Sequence, residues 1–313
     1  MLTPQRVRIL FSIVLVLACA PALAKHMYQY TDKEGIVHFT DIPPTGDVGE
    51  VKSSVVAVDH QPLIRLRESG TDDDRDLNFF NSSGGPVSVA LSLQQASNVH
   101  TDPPLPAIVV LATQAETHAL TIGVAKAGEG FRYRYAYSYM PGDYRAVQNT
   151  AAHYQIPFDP SLQFPVSQAF NGKFSHHDSQ NQYAVDIGMP EGTPVRAARD
   201  GVIMTVDNDF YGNGLDMAQY GDRANNIRIV HADGAMSVYA HLAFESVRVQ
   251  VGQHVKAGQE IALSGDTGFT SGPHLHFCVQ MNKDMHLVSV PFQFAGPSGA
   301  FTPQQGQMLG AAQ

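Results

Sequence analysis

The hydrophobic and polar positions along this chain alternate over short segments, a pattern typical of half-buried β-strands. Segments such as "VSVALSL", "AIVVLAT", "NIRIVHA" and "SVYAHL" are rich in β-branched residues and are separated by turn residues. Few stretches show the three-to-four-residue periodicity of an amphipathic helix. The pattern therefore predicts a mainly β protein.

One strand-like segment, "SGPHLHF" (271–277), follows a glycine-rich stretch and carries two histidines. Side chains alternate between faces in a strand, so His274 and His276 should share one face. Leu275 and Phe277 should then point into a core. Two neighbouring histidines are ambiguous by themselves, because histidines are common on surfaces. A catalytic or metal-binding role for this pair requires further site residues elsewhere in the chain.

The longest hydrophobic run, "RILFSIVLVLACAPALA", lies near the N-terminus behind Arg6 and Arg8. A positive start, an apolar stretch and a final small-x-small motif predict a secretory signal peptide over residues 1–24. The mature protein is expected to begin near Lys25 and to be periplasmic or secreted. The run is too short to favour a transmembrane anchor, and no later segment resembles a transmembrane helix. Lipidation of Cys19 is a minor alternative.

Composition and charge narrow the classes of function. The chain has 313 residues, enough for two or three domains with real cores. Without residues 1–24 it has 18 basic and 29 acidic residues. This acidic balance argues against nucleic-acid binding, which needs clustered lysine and arginine. Only Cys278 remains after signal removal, so an intramolecular disulfide is excluded.

Composition along the chain predicts several domains. The segment "YQYTDKEGIVHFTDIPP" indicates two short strands around a turn, and its frame resembles a small module of unknown function in exported envelope proteins. "RESGTDDDRD" is expected to be a solvated linker, a calcium site being the less favoured alternative. "FRYRYAYSY" places a row of aromatic residues on one face of a strand. We expect this row to face the interior of an immunoglobulin-like domain; stacking on sugars is the less favoured alternative.

The predicted domains are a β module (25–65), a polar linker (66–84), a β-sandwich-like spacer (85–150), a metal-site domain (151–299) and a tail (300–313).

The remaining residues of a site lie upstream of the histidine pair. Zinc favours nitrogen, oxygen and sulfur ligands, and a catalytic zinc site leaves one position open. "GKFSHHDSQNQYAVDIGM" offers His176 or His177 and, in a strand, Asp186; "SVYAHL" adds His241. A histidine–aspartate–histidine set around His276 is therefore available.

These motifs together resemble the lysostaphin-type (LytM-domain) zinc metalloendopeptidases. The similarity covers about residues 151–294 and rests on "YAVDIGMPEGTPVRAARDGVI", "IRIVHADGAMSVYAHL" and "VGQHVKAGQEIALSGDTGFTSGPHLHF", in the expected order. The resemblance implies an antiparallel, barrel-sandwich hybrid-like peptidase domain with one Zn²⁺ per chain. It also implies two sets of site residues, namely the ligands His176, Asp186 and His276 and the catalytic residues His241 and His274.

Two features depart from the family pattern. Nine residues separate His176 from Asp186, whereas three separate the corresponding ligands in the commonest form of the family. A subgroup with "F-S-H" before "Y-A-V-D" has the longer loop, and its alignment favours His176 over His177. An insert over residues 207–225 is either one wall of a groove or a surface loop.

Three residues near these motifs are predicted to lie outside the metal and catalytic site. His231 precedes a turn and is expected to brace it, and His254 lies in a hairpin and is expected to be exposed. Cys278 shares the strand face of the two histidines but is expected to be a small buried residue, because a fourth protein ligand would close the catalytic position.

The sequence thus predicts an exported zinc endopeptidase that cuts the peptide cross-links of bacterial peptidoglycan, with the substrate class supplied by the resemblance. A non-catalytic regulator that activates a wall amidase is one alternative. A protease acting on glycine-rich proteins is another.

Overall fold

The computed structural model describes residues 23–32, 37–40, 44, 49–58 and 62–311. The chain divides into two compact units, residues 1–60 and 61–313. The predicted signal peptide lies outside the described residues over positions 1–22. No helix in the described part of the chain combines the length and apolar character needed to cross a membrane.

The first unit contains a three-stranded antiparallel sheet in the order β2-β1-β3. The two strands predicted around the turn at residues 32–35 correspond to β1 and β2. A third strand, which the sequence pattern did not predict, pairs along the other edge of β1. The strands are β1 (Leu23–Thr31), β2 (Val37–Thr40) and β3 (Lys52–Val58).

The second unit begins with a β-sandwich of two antiparallel sheets, in the orders β4-β5-β9-β7 and β10-β6-β8. Leu77 and Phe79 from one sheet and Val89 and Leu91 from the other are almost fully buried in a shared core. The strands are β4 (Ile64–Thr71), β5 (Asp74–Asn81), β6 (Val87–Ser97), β7 (Val99–Asp102), β8 (Ala107–Leu111), β9 (Glu116–Val124) and β10 (Arg132–Pro141).

The linker prediction for residues 66–84 is wrong, because this segment forms most of the β4–β5 hairpin of the sandwich. The run of aspartates surrounds the hairpin turn, where charged side chains remain solvated. Beyond the turn, Leu77 and Phe79 alternate with polar residues and fill the core. The acidic composition of the turn concealed this alternation in the sequence.

The aromatic row of β10 lies on the core side of its sheet. Tyr137 and Tyr139 are directly opposite Leu91 and Val89 on β6. The Tyr137 ring meets Phe79 edge-to-face, with the ring centroids 5.1 Å apart. Tyr137 and Tyr139 are each still 42% exposed, because β10 is an edge strand. The prediction of an interior row therefore holds for the direction of these rings but overestimates their burial.

The rest of the second unit is built on a nine-stranded sheet with the order β18-β14-β16-β17-β21-β12-β11-β25, in which β22 pairs beside β12 on β21. Its strands and the adjoining short elements are β11 (Gln163–Gln168), β12 (Val185–Ile187), β13 (Pro194–Arg196), β14 (Gly201–Asp207), β15 (Asn213–Gly214), α1 (Met217–Tyr220), β16 (Asn226–Val230), β17 (Met236–Ala240), β18 (His254–Val255), β19 (Glu260–Leu263), β20 (Gly268–Phe269), β21 (Leu275–Lys283), β22 (His286–Ser289), β23 (Phe294–Gly296), β24 (Gly299–Phe301) and β25 (Met308–Gly310).

Residues 300–313, predicted as a tail, contribute an edge strand to this sheet. Strand β25 pairs with β11, and Leu309 is fully buried. A three-residue strand with one core side chain is too short to produce a recognisable alternation in the sequence. The mainly β prediction itself is confirmed.

One face of the large sheet carries the main hydrophobic core, and part of the other face packs against the sandwich. Ile227, Ile229 and Phe277 belong to the main core, whereas Val230 and Met236 join the core of the sandwich. Backbone contacts accompany this packing, since the Gly84 amide donates to the Met204 carbonyl over 2.9 Å. The sandwich and the sheet are therefore one packed body.

At Gly84 the backbone of the sandwich comes very close to that of β14. A Cβ added there would lie 1.9 Å from the Ile203 carbonyl oxygen. Gly84→Ala should lower the free energy of unfolding by about 2 kcal/mol or more, because the sandwich must shift away from β14. Gly130→Ala is the matched control, since an added Cβ there meets nothing within 4 Å, and it should change stability by no more than about 0.5 kcal/mol. Equal midpoints of urea unfolding for the two variants would contradict this account.

Candidate active site

Strands β12 and β21 form the centre of the site by pairing directly. Asp186 and His276 are Cα partners in this antiparallel pair. Leu275 and Phe277, on either side of His276, are fully buried in the main core. The alternation expected for "SGPHLHF" is therefore observed, and it turns His276 to the face on which Asp186 lies.

The loop between β11 and β12 brings a second histidine to this face. The His176 amide donates to the Gly172 carbonyl over 3.0 Å, and its ring has no solvent exposure. Its Nδ1 lies 3.0 Å from the Ala169 carbonyl oxygen and donates to it, which leaves Nε2 without a proton in the neutral ring. His177, the alternative that the sequence left open, is exposed to solvent.

The three side chains converge on one carboxylate oxygen. Oδ1 of Asp186 lies 3.2 Å from Nε2 of His176 and 2.9 Å from Nδ1 of His276. Burial alone would raise the pKa of Asp186, but the two imidazoles hold this pKa well below its ordinary value. The carboxylate is therefore ionised at neutral pH.

This arrangement matches the requirements of a metal ion. One ligand atom from each of His176, Asp186 and His276 lies within 4.8 Å of the others. Ligands about 2.0–2.1 Å from a tetrahedral ion are themselves about 3.3 Å apart, close to the spacings observed around Oδ1. Two imidazoles and a carboxylate are also a donor set of the kind found in zinc enzymes.

His241 and His274 lie beside the cluster and are oriented by backbone carbonyl groups. Nδ1 of His241 donates to the Thr267 carbonyl over 2.7 Å, and Nδ1 of His274 donates to the Gly272 carbonyl over 2.8 Å. The two ring centroids are 4.5 Å apart, and Nε2 of His274 is 3.7 Å from Oδ1 of Asp186. Each ring therefore directs its Nε2 away from its carbonyl partner. Nε2 of His274 lies next to the ligand cluster.

The backbone at His241 adopts φ 61°, in the left-handed region that few non-glycine residues occupy. This conformation follows the end of β17 and turns the ring out of the strand alternation. Burial, with the neighbouring imidazoles, lowers the pKa of His241 to about 3. The ring is therefore neutral and presents a lone pair at Nε2.

The insert over residues 207–225 packs against the loop that precedes His274. Its strand β15 pairs in parallel with β20, so that Asn213 is opposite Gly268. At the end of the insert, the Asn225 amide donates to Oγ1 of Thr267 over 3.1 Å, next to the carbonyl that orients His241. The sequence left two interpretations of this insert, one wall of a groove or a surface loop. Its packing next to the site favours the wall.

Other candidates lie outside the cluster. His254 is exposed, and Cys278 is a buried free cysteine whose thiol pKa burial raises to about 12. Both observations agree with the predictions of an exposed His254 and a small, buried Cys278. Sequence reasoning missed Gln168, whose side-chain amide lies 2.9 Å from Oδ2 of Asp186. No motif signals this residue, because its role depends on a strand pairing.

Comparison with known proteins finds two family matches in this chain. Residues 180–287 match the model of peptidase family M23, and residues 14–59 match a domain of unknown function, DUF4124. The first match includes Asp186, His241, His274 and His276, and it begins four residues after His176. The chain carries a peptidase family M23 domain.

Curated proteins that are similar to part of this chain include two named endopeptidases. A glycyl-glycine endopeptidase of Staphylococcus capitis, ALE-1, is 44% identical over 98 residues, or 31% of this chain and 24% of the relative. The peptidoglycan DD-endopeptidase ShyA of Vibrio cholerae is 35% identical over 120 residues, or 38% of this chain and 23% of the relative. The chain thus spans about a quarter of the length of these relatives.

Among solved structures, the catalytic domain of lysostaphin from Staphylococcus simulans is 29% identical. The similarity covers 46% of this chain and 89% of that domain, with a TM-score of 0.29. M23 enzymes are metallopeptidases, and the histidine–aspartate–histidine cluster described above fits a metal site.

His231 of the M23 domain lies outside the ligand cluster, and its ring connects Asp200 to Ser237 instead of bonding the turn that it precedes. Nδ1 donates to the Asp200 carbonyl over 2.8 Å, and Nε2 accepts from Oγ of Ser237 over 3.0 Å. The hydroxyl of Tyr239 lies 3.3 Å from the same Oγ. A protonated Nε2 could no longer accept this hydrogen bond. Burial accordingly lowers the pKa of His231 to about 4.

This buried histidine makes stability dependent on pH. Because its pKa is about 4 when folded and about 6.5 when unfolded, the unfolded state binds more protons between these values. His231 should therefore remove on the order of 3 kcal/mol of unfolding free energy as the pH falls from 6.5 to 4. His231→Gln, which can donate to Asp200 and accept from Ser237, should flatten the profile by this amount.

Urea unfolding at several pH values measures the difference between the two profiles. His254→Gln, at an exposed position, is the matched control and should follow the wild-type profile. Identical pH profiles for wild type and His231→Gln would contradict the assignment of His231 as a buried neutral brace.

Proposed function

We propose that this protein is an exported, zinc-dependent endopeptidase that hydrolyses the peptide cross-links of bacterial peptidoglycan. The observation that carries the proposal is the convergence of His176, Asp186 and His276 on one point, with His241 and His274 beside them. The names of the M23 relatives, a glycyl-glycine endopeptidase and a peptidoglycan DD-endopeptidase, support the substrate class.

The zinc ligands in this proposal are Nε2 of His176, Oδ1 of Asp186 and Nδ1 of His276. Two neutral imidazoles and one carboxylate leave a net charge of +1 on a site that holds Zn²⁺. A bound zinc ion supplies a Lewis acid that polarises the scissile carbonyl and lowers the pKa of water. The ligands come from three segments, so the folded domain is needed to bring them together.

His241 and His274 are the catalytic pair in this proposal. The Nδ1 proton of each is engaged by a backbone carbonyl, so its Nε2 is the atom left for the reaction. An unprotonated Nε2 can take a proton from the attacking water and return it to the leaving amine. A protonated Nε2 can stabilise the oxyanion that forms on the scissile carbonyl. We assign these two functions to the pair.

Apolar side chains near the site provide a surface for an extended peptide. Phe174, two residues before His176, is 58% exposed and stacks on Phe269 with ring centroids 6.1 Å apart. Tyr211 and Leu215 of the insert are 55% and 60% exposed. A peptide cross-link is a flexible substrate, so such walls would contribute to its orientation.

Export is proposed from the sequence. The apolar run behind Arg6 and Arg8 and the small-x-small motif before Lys25 indicate a cleaved signal peptide, which would deliver the enzyme to the compartment of its substrate.

Substitutions at the site should separate metal binding from catalysis. His241→Ala and His274→Ala should keep zinc but lose hydrolysis by roughly 10²-fold or more, because a proton-transfer or oxyanion group is removed. His276→Ala should lose the metal, since two remaining ligands form a weak site. The measurements are dye release from labelled peptidoglycan, with and without a chelator, and the zinc content of each purified variant.

His177→Ala is the matched control, because it changes the exposed neighbour of His176. It should keep both zinc and activity. A zinc-loaded wild type that releases no dye from several wall preparations, yet stimulates an added amidase, would falsify the proposed activity in favour of a regulator.

A further inference from the structure

Gln168 is a buried polar residue that lies beside the ligand cluster. It ends strand β11, where a shift in register makes it the Cα partner of Asp186 on β12. The side chain is largely buried, with the residue 8% exposed. Buried amides need partners for their donors and acceptor, so its hydrogen bonds indicate what it supports.

The amide of Gln168 connects the two segments that carry His176 and Asp186. Nε2 donates to Oδ2 of Asp186 over 2.9 Å and to Oγ of Ser175 over 2.8 Å. Oε1 accepts from the Phe174 amide over 3.0 Å. The backbone N–H of Phe174 can only donate, so it fixes which end of the side-chain amide is oxygen. Both N–H groups therefore point to Asp186 and Ser175.

The loop closes tightly over this side chain. A Cβ added at Gly172 would lie 2.2 Å from Cγ of Gln168, so only glycine fits there without a shift. The carbonyl of Gly172 accepts from the His176 amide. The turn that delivers His176 is thus packed directly on Gln168.

The two oxygens of Asp186 consequently have different roles. Oδ2 is engaged by Gln168, whereas Oδ1 lies within 3.2 Å of Nε2 of His176 and Nδ1 of His276. We propose that Gln168 is a positioning residue that reserves Oδ1 of Asp186 for the metal and holds the Phe174–Ser175 segment that delivers His176. This inference rests on the proposed function, in which Asp186 and His176 are zinc ligands.

Replacing Gln168 tests this role through metal binding. Gln168→Met keeps the length of the side chain and removes all three hydrogen bonds. It should weaken zinc binding about 10- to 100-fold, the usual effect of losing a group that orients a ligand. The zinc Kd of the full chain is measured by competition with a chromophoric chelator. Gln168→Asn, one methylene shorter, should show a smaller loss because it cannot reach Asp186 and Phe174 together.

A spectroscopic measurement distinguishes positioning from simple destabilisation. With Co²⁺ in place of zinc, release of Oδ2 should let the carboxylate bind through both oxygens, and the visible absorption should weaken as the coordination number rises. Gln280→Met is the matched control. Gln280 is also buried, at 4% exposure, and its amide bonds to Arg228 and to the Gln180 carbonyl. This variant should be less stable than wild type but keep its zinc Kd and cobalt spectrum.

The outcomes separate the two proposals. If the wild type binds zinc and hydrolyses peptidoglycan while both Gln168 variants keep the wild-type Kd and spectrum, the positioning role is wrong and the proposed function stands. If the wild type binds no zinc, the proposed function fails. If Gln280→Met weakens zinc binding as much as Gln168→Met does, Gln168 has only a general structural role and the inference is overturned.

Discussion

The site depends on one buried carboxylate, that of Asp186. An ionised carboxylate is costly to bury unless charged or hydrogen-bonding partners surround it. Here Oδ1 is within 3.2 Å of two imidazole nitrogens, and Oδ2 accepts from Gln168. These partners come from β21, from the loop before β12 and from β11. The adjacent order β21-β12-β11 is what allows one carboxylate to reach all of them.

The same sheet connects the site to the sandwich. Strand β17 has Met236 in the core of the sandwich at one end and leads to His241 at the other. His241 has a left-handed backbone, its ring Nδ1 donates to the Thr267 carbonyl, and the insert donates to Thr267 in turn. The position of His241 therefore rests on contacts from the sandwich, the sheet and the insert.

Part of this arrangement could be predicted from the sequence, and the limits are physical. The alternation around His274 and His276 gives their common face, and family motifs bring Asp186 and His241 into consideration. The choice between His176 and His177 depended on alignment, because a loop has no periodicity that fixes side-chain direction. Gln168 was not predictable, because a strand register and a bulge bring it to Asp186. The β4–β5 hairpin was missed because the aspartates of its turn resemble a linker.

The central claim is that Oδ1 of Asp186, with Nε2 of His176 and Nδ1 of His276, forms the metal centre. X-ray diffraction on both sides of the zinc absorption edge, from crystals of the zinc-loaded full chain, tests this claim most directly. The account predicts one anomalous peak per chain, bonded to these three atoms, with Oδ2 still hydrogen-bonded to Gln168. A peak bonded to His177 or Cys278, or to both oxygens of Asp186, would contradict it.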